Sequence, residues 1–355
     1  MPISSDRMLT ALKAIGEDTR LRIVGLLALG ELTVSDLVDI LGQSQPRISR
    51  HLKLLTEAGV VDKHREGTWA FFDLTPRGPI RDAVDAVLAQ IDAHDPVIAA
   101  DLDRRSIVQH RRATAAQEYF AGIAASWDQE RTLHATDDVV EAAIVQIAAE
   151  RPYHRVLDLG TGTGRMLQLL AADPDRIERA IGLDTSHSML AVARANLERA
   201  ELRHIDLRQG DVYSPPFDRG EFDLVVLHQV LHFLDDPARA VREAARLVAP
   251  DGRLLIVDFA PHTLEFLRTD HAHRRLGFRA DTVETWLTGS GLSLGSTRTI
   301  APDDLTTDVD VDTGDDRLTV SIWVGVDTDT TSHTPTTHTT STGEPTTPPL
   351  RQDLP

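Results

Sequence analysis

The stretch RVLDLGTGTGR, residues 155–165, confines the second half of this chain more tightly than any other feature. A short apolar run carries Asp158 near its end and passes straight into Gly160, Gly162 and Gly164. Three more apolar runs follow, AIGLD, FDLVVLH and RLLIVDF, separated by helical stretches such as PARAVREAARLVA. Strands that are apolar throughout must be covered on both faces. The alternation therefore predicts a parallel α/β sheet between helices. In such a sheet, ligands sit at the carboxyl ends of the strands.

The chemistry lies at those ends. The glycines let backbone approach a ligand closely. Their spacing is G-x-G-x-G, and Arg165 stands where a dinucleotide fingerprint needs a small residue. Asp184 ends the second strand, placed to accept from ribose hydroxyls, and Asp211 in QGDVY ends the third, placed to accept from an adenine amino group. Three acids at three successive strand ends, with glycines beside the first, form the signal. The set resembles the class I S-adenosylmethionine-dependent methyltransferases over roughly residues 115–326. The resemblance implies a Rossmann-like domain with a mostly parallel seven-stranded sheet. It implies that Asp158, Gly160, Gly162 and Gly164 hold the methionine part of adenosylmethionine or adenosylhomocysteine. Asp184 would hold the ribose, Met189 would cover adenine, and Asp211 with Val212 would meet its edge. YFAGIAASWD resembles the lid of small-molecule members, with Tyr119 and Trp127 facing the ligand, and LSLGSTRTI with LTVSIWVGV resembles the late antiparallel hairpin.

Methyl transfer asks for placement and often a base, so its residue demands are loose. His228 and His232 in LHQVLHFLDDP are the candidate catalytic groups, each with packing as its plainer reading; His262, His271 and His273 follow the fifth strand. His228-x-x-x-His232 has two-ligand metal spacing, but Gln229 replaces the glutamate of the zinc protease motif, and no metal is expected. No Asn/Asp-Pro-Pro-Tyr type of sequence is present, so DNA methylation is not expected.

The first 78 residues read as a winged helix-turn-helix. Asp18-Thr19 precede a helical run ended by Gly30; Thr33-x-x-Asp36 forms a capping box for a short helix stopped by Gly42; Ser44 caps a third helix with Pro46 in its first turn. In SQPRISRHLKLL, Ile48, Leu52 and Leu55 share one face, while Arg50 and Lys53 face away with Arg47 and Ser49 on the flanks. A basic outer face on an apolar inner one suits a recognition helix in a major groove, with Ser44 and Gln45 at its start. VVDKHREGTWAFFDLT supplies a two-stranded wing whose Arg65 can reach phosphate or minor groove. His51 is open between packing and DNA contact. EDTRLRIVGLL, ELTVSDL, SQPRISRHLKLL and REGTWAFFDL resemble the ArsR/SmtB family of dimeric bacterial repressors over about residues 5–78. The resemblance implies operator DNA as partner and a homodimer. Metal-sensing members carry cysteines in the second motif, where this chain has Thr33 and Ser35, and it has no cysteine anywhere. Hydroxyls do not replace thiolates for soft metals.

The formal net charge is −18, yet residues 1–78 hold ten Lys/Arg and ten Asp/Glu and include every lysine, so only this neutral head suits DNA. No apolar run reaches the roughly 18 residues needed to cross a bilayer and no signal pattern is present, so a soluble cytoplasmic protein is expected, without membrane partners. Residues 79–127 read as a helical linker for dimerisation and lid, with Ile80, Val84, Leu88 and Ile91 on one stripe that either pairs with a symmetry mate or packs internally. Residues 128–326 form the methyltransferase-type domain, and 327–355, rich in Thr and Pro, read as disordered. The expected function is an ArsR-type repressor in which a metabolite pocket has taken over from the metal sensor. The alternative is an active small-molecule methyltransferase, with its own methyl acceptor, tethered to a DNA-binding module.

Overall fold

A computed structural model describes residues 3–66, 69–75, 78–92, 94–123, 137–173, 175–301 and 318–327. Trp127 and residues 328–355 lie outside these. Helix α1 (Ser5–Ile15) starts at Ser4, whose hydroxyl accepts from the Arg7 amide. Helix α2 (Asp18–Leu27) is capped one residue earlier than the sequence suggests. The Glu17 carboxylate, rather than Asp18, accepts from the Arg20 amide at 2.9 Å. The chain then turns at Gly30, whose φ of +124° a side chain would strain, into the two-residue strand β1 (Leu32–Thr33).

Thr33 and Asp36 form the reciprocal capping box, side chain to amide in both directions, that opens α3 (Val34–Leu41); Gly42 closes it in the left-handed conformation. Recognition-type helix α4 (Gln45–Glu57) starts at Ser44, but the Ser44 side chain makes no capping bond; Pro46 presets the first turn instead. Strands β2 (Val61–Glu66) and β3 (Trp69–Leu74) pair antiparallel as the wing, and β1 joins the far side of β3. Ile23, Leu37, Ile48, Leu52, Leu55 and Val61 bury their side chains together beneath these elements.

Helix α5 (Pro79–Leu88) turns Ile80 and Val84 into that same core, with Leu88 packed at its edge. Of the stripe read from the sequence, Ile80, Val84 and Leu88 thus pack internally. Helix α6 (Pro96–Ile123) is fixed to the DNA-type module by side chains. Asp101, buried, takes both arms of Arg22 at 2.6 and 2.7 Å, Arg104 donates to the Ile40 carbonyl, and Arg105 donates to the Leu29 carbonyl at 2.6 Å. A two-point arginine–carboxylate pair fixes orientation as well as distance.

Beyond α7 (Asp137–Ala149), the sheet is built from β4 (Arg155–Leu159), β5 (Arg179–Asp184), β6 (Ile205–Gln209), β7 (Phe222–His228), β8 (Val248–Phe259), β9 (Leu292–Ile300) and β10 (Val320–Asp327). Their order is β6-β5-β4-β7-β8-β10-β9; the first five run parallel and β10 is antiparallel to both neighbours. Helices α8 (Arg165–Leu170), α9 (His187–Arg199), α10 (Pro237–Leu247), α11 (Phe266–Asp270) and α12 (Ala280–Gly289) complete the layers. Successive strand residues feed opposite cores. Val156, Val226 and Val257 pack with Ile144 and Leu167, while Leu157, Leu227 and Ile256 pack with Val241 and Trp323. This two-sided burial is why the strands read as continuous apolar runs. The topology reverses between β4 and β7, and the acids stand at the strand ends around that point. No helix among the described residues is long and apolar enough to cross a membrane.

Candidate functional site

Two places carry the chemistry. The first is the outer face of α4, where Ser44, Gln45, Arg47, Ser49, Arg50 and Lys53 are all exposed above the buried Ile48, Leu52 and Leu55. Arg65 is exposed on β2 of the wing. His51 turns to the packed side, its Nδ1 3.6 Å from the Glu17 carboxylate, and burial lowers its pKa.

The second is a cavity of about 1120 Å³ at the carboxyl ends of β4, β5, β6 and β7. It brings together Asp158, Gly160, Gly162, Asp184, Met189, Asp211, Val212 and His228. Gly164 is not in its wall; it begins α8 with a φ of +83°, and an added Cβ would lie 3.3 Å from Ala193. Gly160 has no room for a side chain: with φ at +76°, a Cβ would come within 2.5 Å of Val230. Arg165 lines the cavity and grips Glu141 of α7 through both arms.

The two inner carboxylates differ in what remains open to a ligand. Asp158 is buried; its Oδ2 accepts from the Thr161 hydroxyl at 2.7 Å, and its Oδ1 has no hydrogen-bond partner. Burial pushes its pKa up to about 7, the Thr161 bond pulls it down, and the nearby Asp184 charge adds to the rise. Asp184 accepts from the Gly162 amide and the Ser186 amide, each at 2.8 Å; burial raises its pKa against those bonds. Asp211 is exposed, with Oδ1 accepting from the Tyr213 amide at 2.9 Å.

The histidines separate. His228 lines the cavity, beside Gln229 with its φ of +49°. His232 does not line it: it is buried with Nδ1 2.7 Å from Asp258, and its carbonyl accepts from the amides of Arg274 and Arg275. Through its carbonyl it holds the segment around Arg274 and Arg275. Of the aromatic residues expected in a lid, Tyr119 lies 3.0 Å from Nδ1 of His271, outside the cavity wall, while its neighbour Phe120 lines the cavity edge-on to Phe233. Among the described residues, no three His, Asp or Glu side chains group as a metal site.

The sequence reading missed where the cavity ends. Its far wall is Leu27–Gly30, the end of α2, with Arg105 and Gln109 of α6. Ala272, His273 and Arg274 line it as well, and the next residue, Arg275, is buried against the wing, ion-paired with Glu31 and set over the Phe71 ring. Glu31 also meets His64 of β2 at 3.1 Å. Burial alone would raise the Glu31 pKa; Arg275 and His64 override it and hold it at about 2. No local sequence signal marks Arg275, because its partners lie more than 200 residues away.

Comparison with known proteins divides along the same line. Residues 17–63 match the family model described as bacterial regulatory protein, arsR family, and residues 157–256 match methyltransferase domain. The arsenic resistance transcriptional regulator ArsR1 of Pseudomonas putida is 42% identical over 91 residues, covering 25% of this chain and 70% of that regulator. An uncharacterized methyltransferase of Bacillus subtilis, YcgJ, is 35% identical over 119 residues, covering 33% of this chain. The chain spans 46% of the length of that relative. The crystal structure of YcgJ aligns with a TM-score of 0.43 at 21% identity, over 53% of this chain and 97% of that one.

A winged helix-turn-helix joined to a methyltransferase-type α/β sheet is what fold and sites define together. The chain belongs to the arsR family of bacterial regulatory proteins, with a methyltransferase domain fused behind the DNA-type module.

Proposed function

We propose that this protein is a DNA-binding transcriptional repressor whose methyltransferase-fold part binds adenosylmethionine or adenosylhomocysteine and passes its occupancy to the DNA-reading module. The observation that carries the reading is the shared wall: one cavity is bounded by Asp158 and Asp184 on one side and by Leu27–Gly30 on the other.

The residues fit such a ligand. The open, buried Oδ1 of Asp158 suits an ammonium donor, and Gly160 and Gly162 leave backbone rather than side chains facing the cavity. Asp184 is the acceptor for ribose hydroxyls; Met189 and Val212, both buried at the cavity wall, supply apolar cover for a purine, and Asp211 meets its edge. Adenosylmethionine, when bound, supplies an electrophilic methyl group. Thr33 and Ser35 leave the ELTVSDL segment without thiolates, but Glu31 at its head is tied to Arg275, so the segment is mechanically joined to the cavity instead.

Operator DNA would be read by the exposed face of α4, with Arg65 on the wing. A homodimer fits the exposed Leu9 and Leu12 of α1. Calorimetric titration of the full chain with each of the two ligands tests the pocket. Saturable one-to-one binding, weakened 10-fold or more in Asp184→Ala, is expected, and no binding of either ligand sinks the reading.

A second reading, an active small-molecule methyltransferase, draws on His228 in the cavity wall. It requires turnover on some acceptor, and DNA affinity that ignores the ligand.

A further inference from the structure

The cavity lies at the upper end of the size range of small-molecule sites. Small-molecule sites occupy roughly 300–1,000 Å³, and this one reaches about 1120 Å³. Its two ends differ in charge. The strand-end side carries Asp158, Asp184 and Asp211; the side between α6 and α10 carries Arg105, Arg239 and Arg242, with Asp236 beside Arg105.

These three arginines have no carboxylate ion pair among the described residues. Arg105 donates one arm to the Leu29 carbonyl, while its buried Nε has no hydrogen-bond partner. Arg239 donates to the Tyr213 carbonyl at 3.2 Å and lies 5.1 Å over the Tyr213 ring. Arg242, one turn along α10, is exposed at the cavity wall. Asp236 is the acid close to Arg105, and its Oδ1 is occupied in capping α10. Elsewhere in the wall Arg274 is taken by Asp235 and Arg81 by Asp85. Leu27, Leu29, Phe120 and Phe233 supply apolar surface in the same wall.

We propose that the α6–α10 side of the cavity is a second ligand site, for a small molecule with an apolar body and one carboxylate or phosphate, held by Arg105, Arg239 and Arg242. Guanidinium groups lining one wall from two elements can meet such an anion in a two-point fashion that a single ammonium cannot. Because Arg105 is bonded to the Leu29 carbonyl, an anion here would be linked through that side chain to the turn after α2. The proposal rests on the cofactor reading only for the assignment of the strand-end side.

The test is calorimetric titration of the full chain at fixed ionic strength with phenyl phosphate, benzoate and the neutral benzyl alcohol, in wild type and in Arg239→Ala with Arg242→Ala. Adenosylhomocysteine is titrated in parallel. Both arginines sit on the outer side of a helix anchored by Ala240, Val241 and Ala244, so the variant is expected to fold. At least one anion should bind 10-fold or more tighter than benzyl alcohol, and the double variant should lose that advantage while adenosylhomocysteine affinity stays within 2-fold. Anions that bind no better than the alcohol, or equally well to the variant, overturn the proposal. A parallel 10-fold loss of adenosylhomocysteine overturns it too, because the arginines would then hold that molecule's own carboxylate. Anion binding in a protein that does not bind adenosylhomocysteine would keep this site and remove the cofactor reading.

Discussion

The guanidinium of Arg275 lies 4.0 Å from the centre of the Phe71 ring, bringing the loop between α11 and α12 onto the wing. The same guanidinium pairs with Glu31, and the three residues before it line the cavity. A ligand that shifts residues 272–274 therefore acts one peptide away from a buried contact with the DNA-type module. Discrimination between two states needs such a differential contact.

Arg275→Ala should break this link. It leaves Glu31 with His64 alone and opens space over Phe71, at an expected cost of about 3 kcal/mol. Urea unfolding reads the loss. In the surviving folded protein, DNA affinity should stop responding to the ligand, while calorimetry still finds the ligand bound. A variant that stays ligand-responsive would place the coupling elsewhere.

Glu31 gives a pH dependence. Its folded pKa, about 2, lies below its ordinary value of 4.5. The unfolded chain therefore takes up the proton first. The contribution of the pair to stability is complete above pH 4.5 and drains away as pH falls toward 2. Stability measured by urea across that range should fall less steeply in Glu31→Gln than in wild type; identical slopes would contradict the assignment.

Asp158 behaves in the opposite sense. Its folded pKa is pushed up from 3.8 to about 7, so the stability cost of its burial grows as pH rises from 3.8 to about 7 and stays constant above that. Asp158→Asn keeps an acceptor for Thr161 and removes the charge. At pH 8 it should raise the melting midpoint by about 2–4 °C, the shift for ~1 kcal/mol in a domain of this size, while adenosylhomocysteine affinity falls 10-fold or more. Unchanged affinity would remove Asp158 from the site.

Gly160→Ala tests the cradle through shape alone. The added methyl group meets Val230 at 2.5 Å and is strained by the positive φ. Overpacking of this kind costs about 1–3 kcal/mol. The variant should remain folded by circular dichroism and lose ligand binding in calorimetry.

On the DNA face, Arg47→Ala with Arg50→Ala should weaken operator binding and reduce the slope of log affinity against log salt by about 2, one for each phosphate left without its guanidinium. An unaltered slope would mean that α4 does not face the duplex.

What could be read from the sequence was local. The capping box of Thr33 and Asp36, the buried face of Ile48, Leu52 and Leu55, and the acids Asp158 and Asp184 at strand ends all follow from short spacings. Helix starts were less legible, because any polar residue near a boundary can cap: Glu17 does so where Asp18 was expected. Long-range pairings left no trace. Arg22 with Asp101 and Arg275 with Glu31 are ordinary charges until the fold brings them together, and so are His232 and Asp258, which meet only in the buried interior. The shared cavity wall was hidden for the same reason.

The measurement that bears most directly on the central claim is fluorescence anisotropy of labelled DNA from the protein's own promoter region. It would be titrated with the full chain at one salt concentration, since phosphate contacts make affinity salt-dependent. Titrations would be run without ligand, with saturating adenosylmethionine and with saturating adenosylhomocysteine. A change of about 10-fold with one of them, or ~1.4 kcal/mol, is expected. Equal DNA affinity in all three, with both ligands shown to bind, would contradict it and leave the methyltransferase domain as an enzyme tethered to a DNA-binding module.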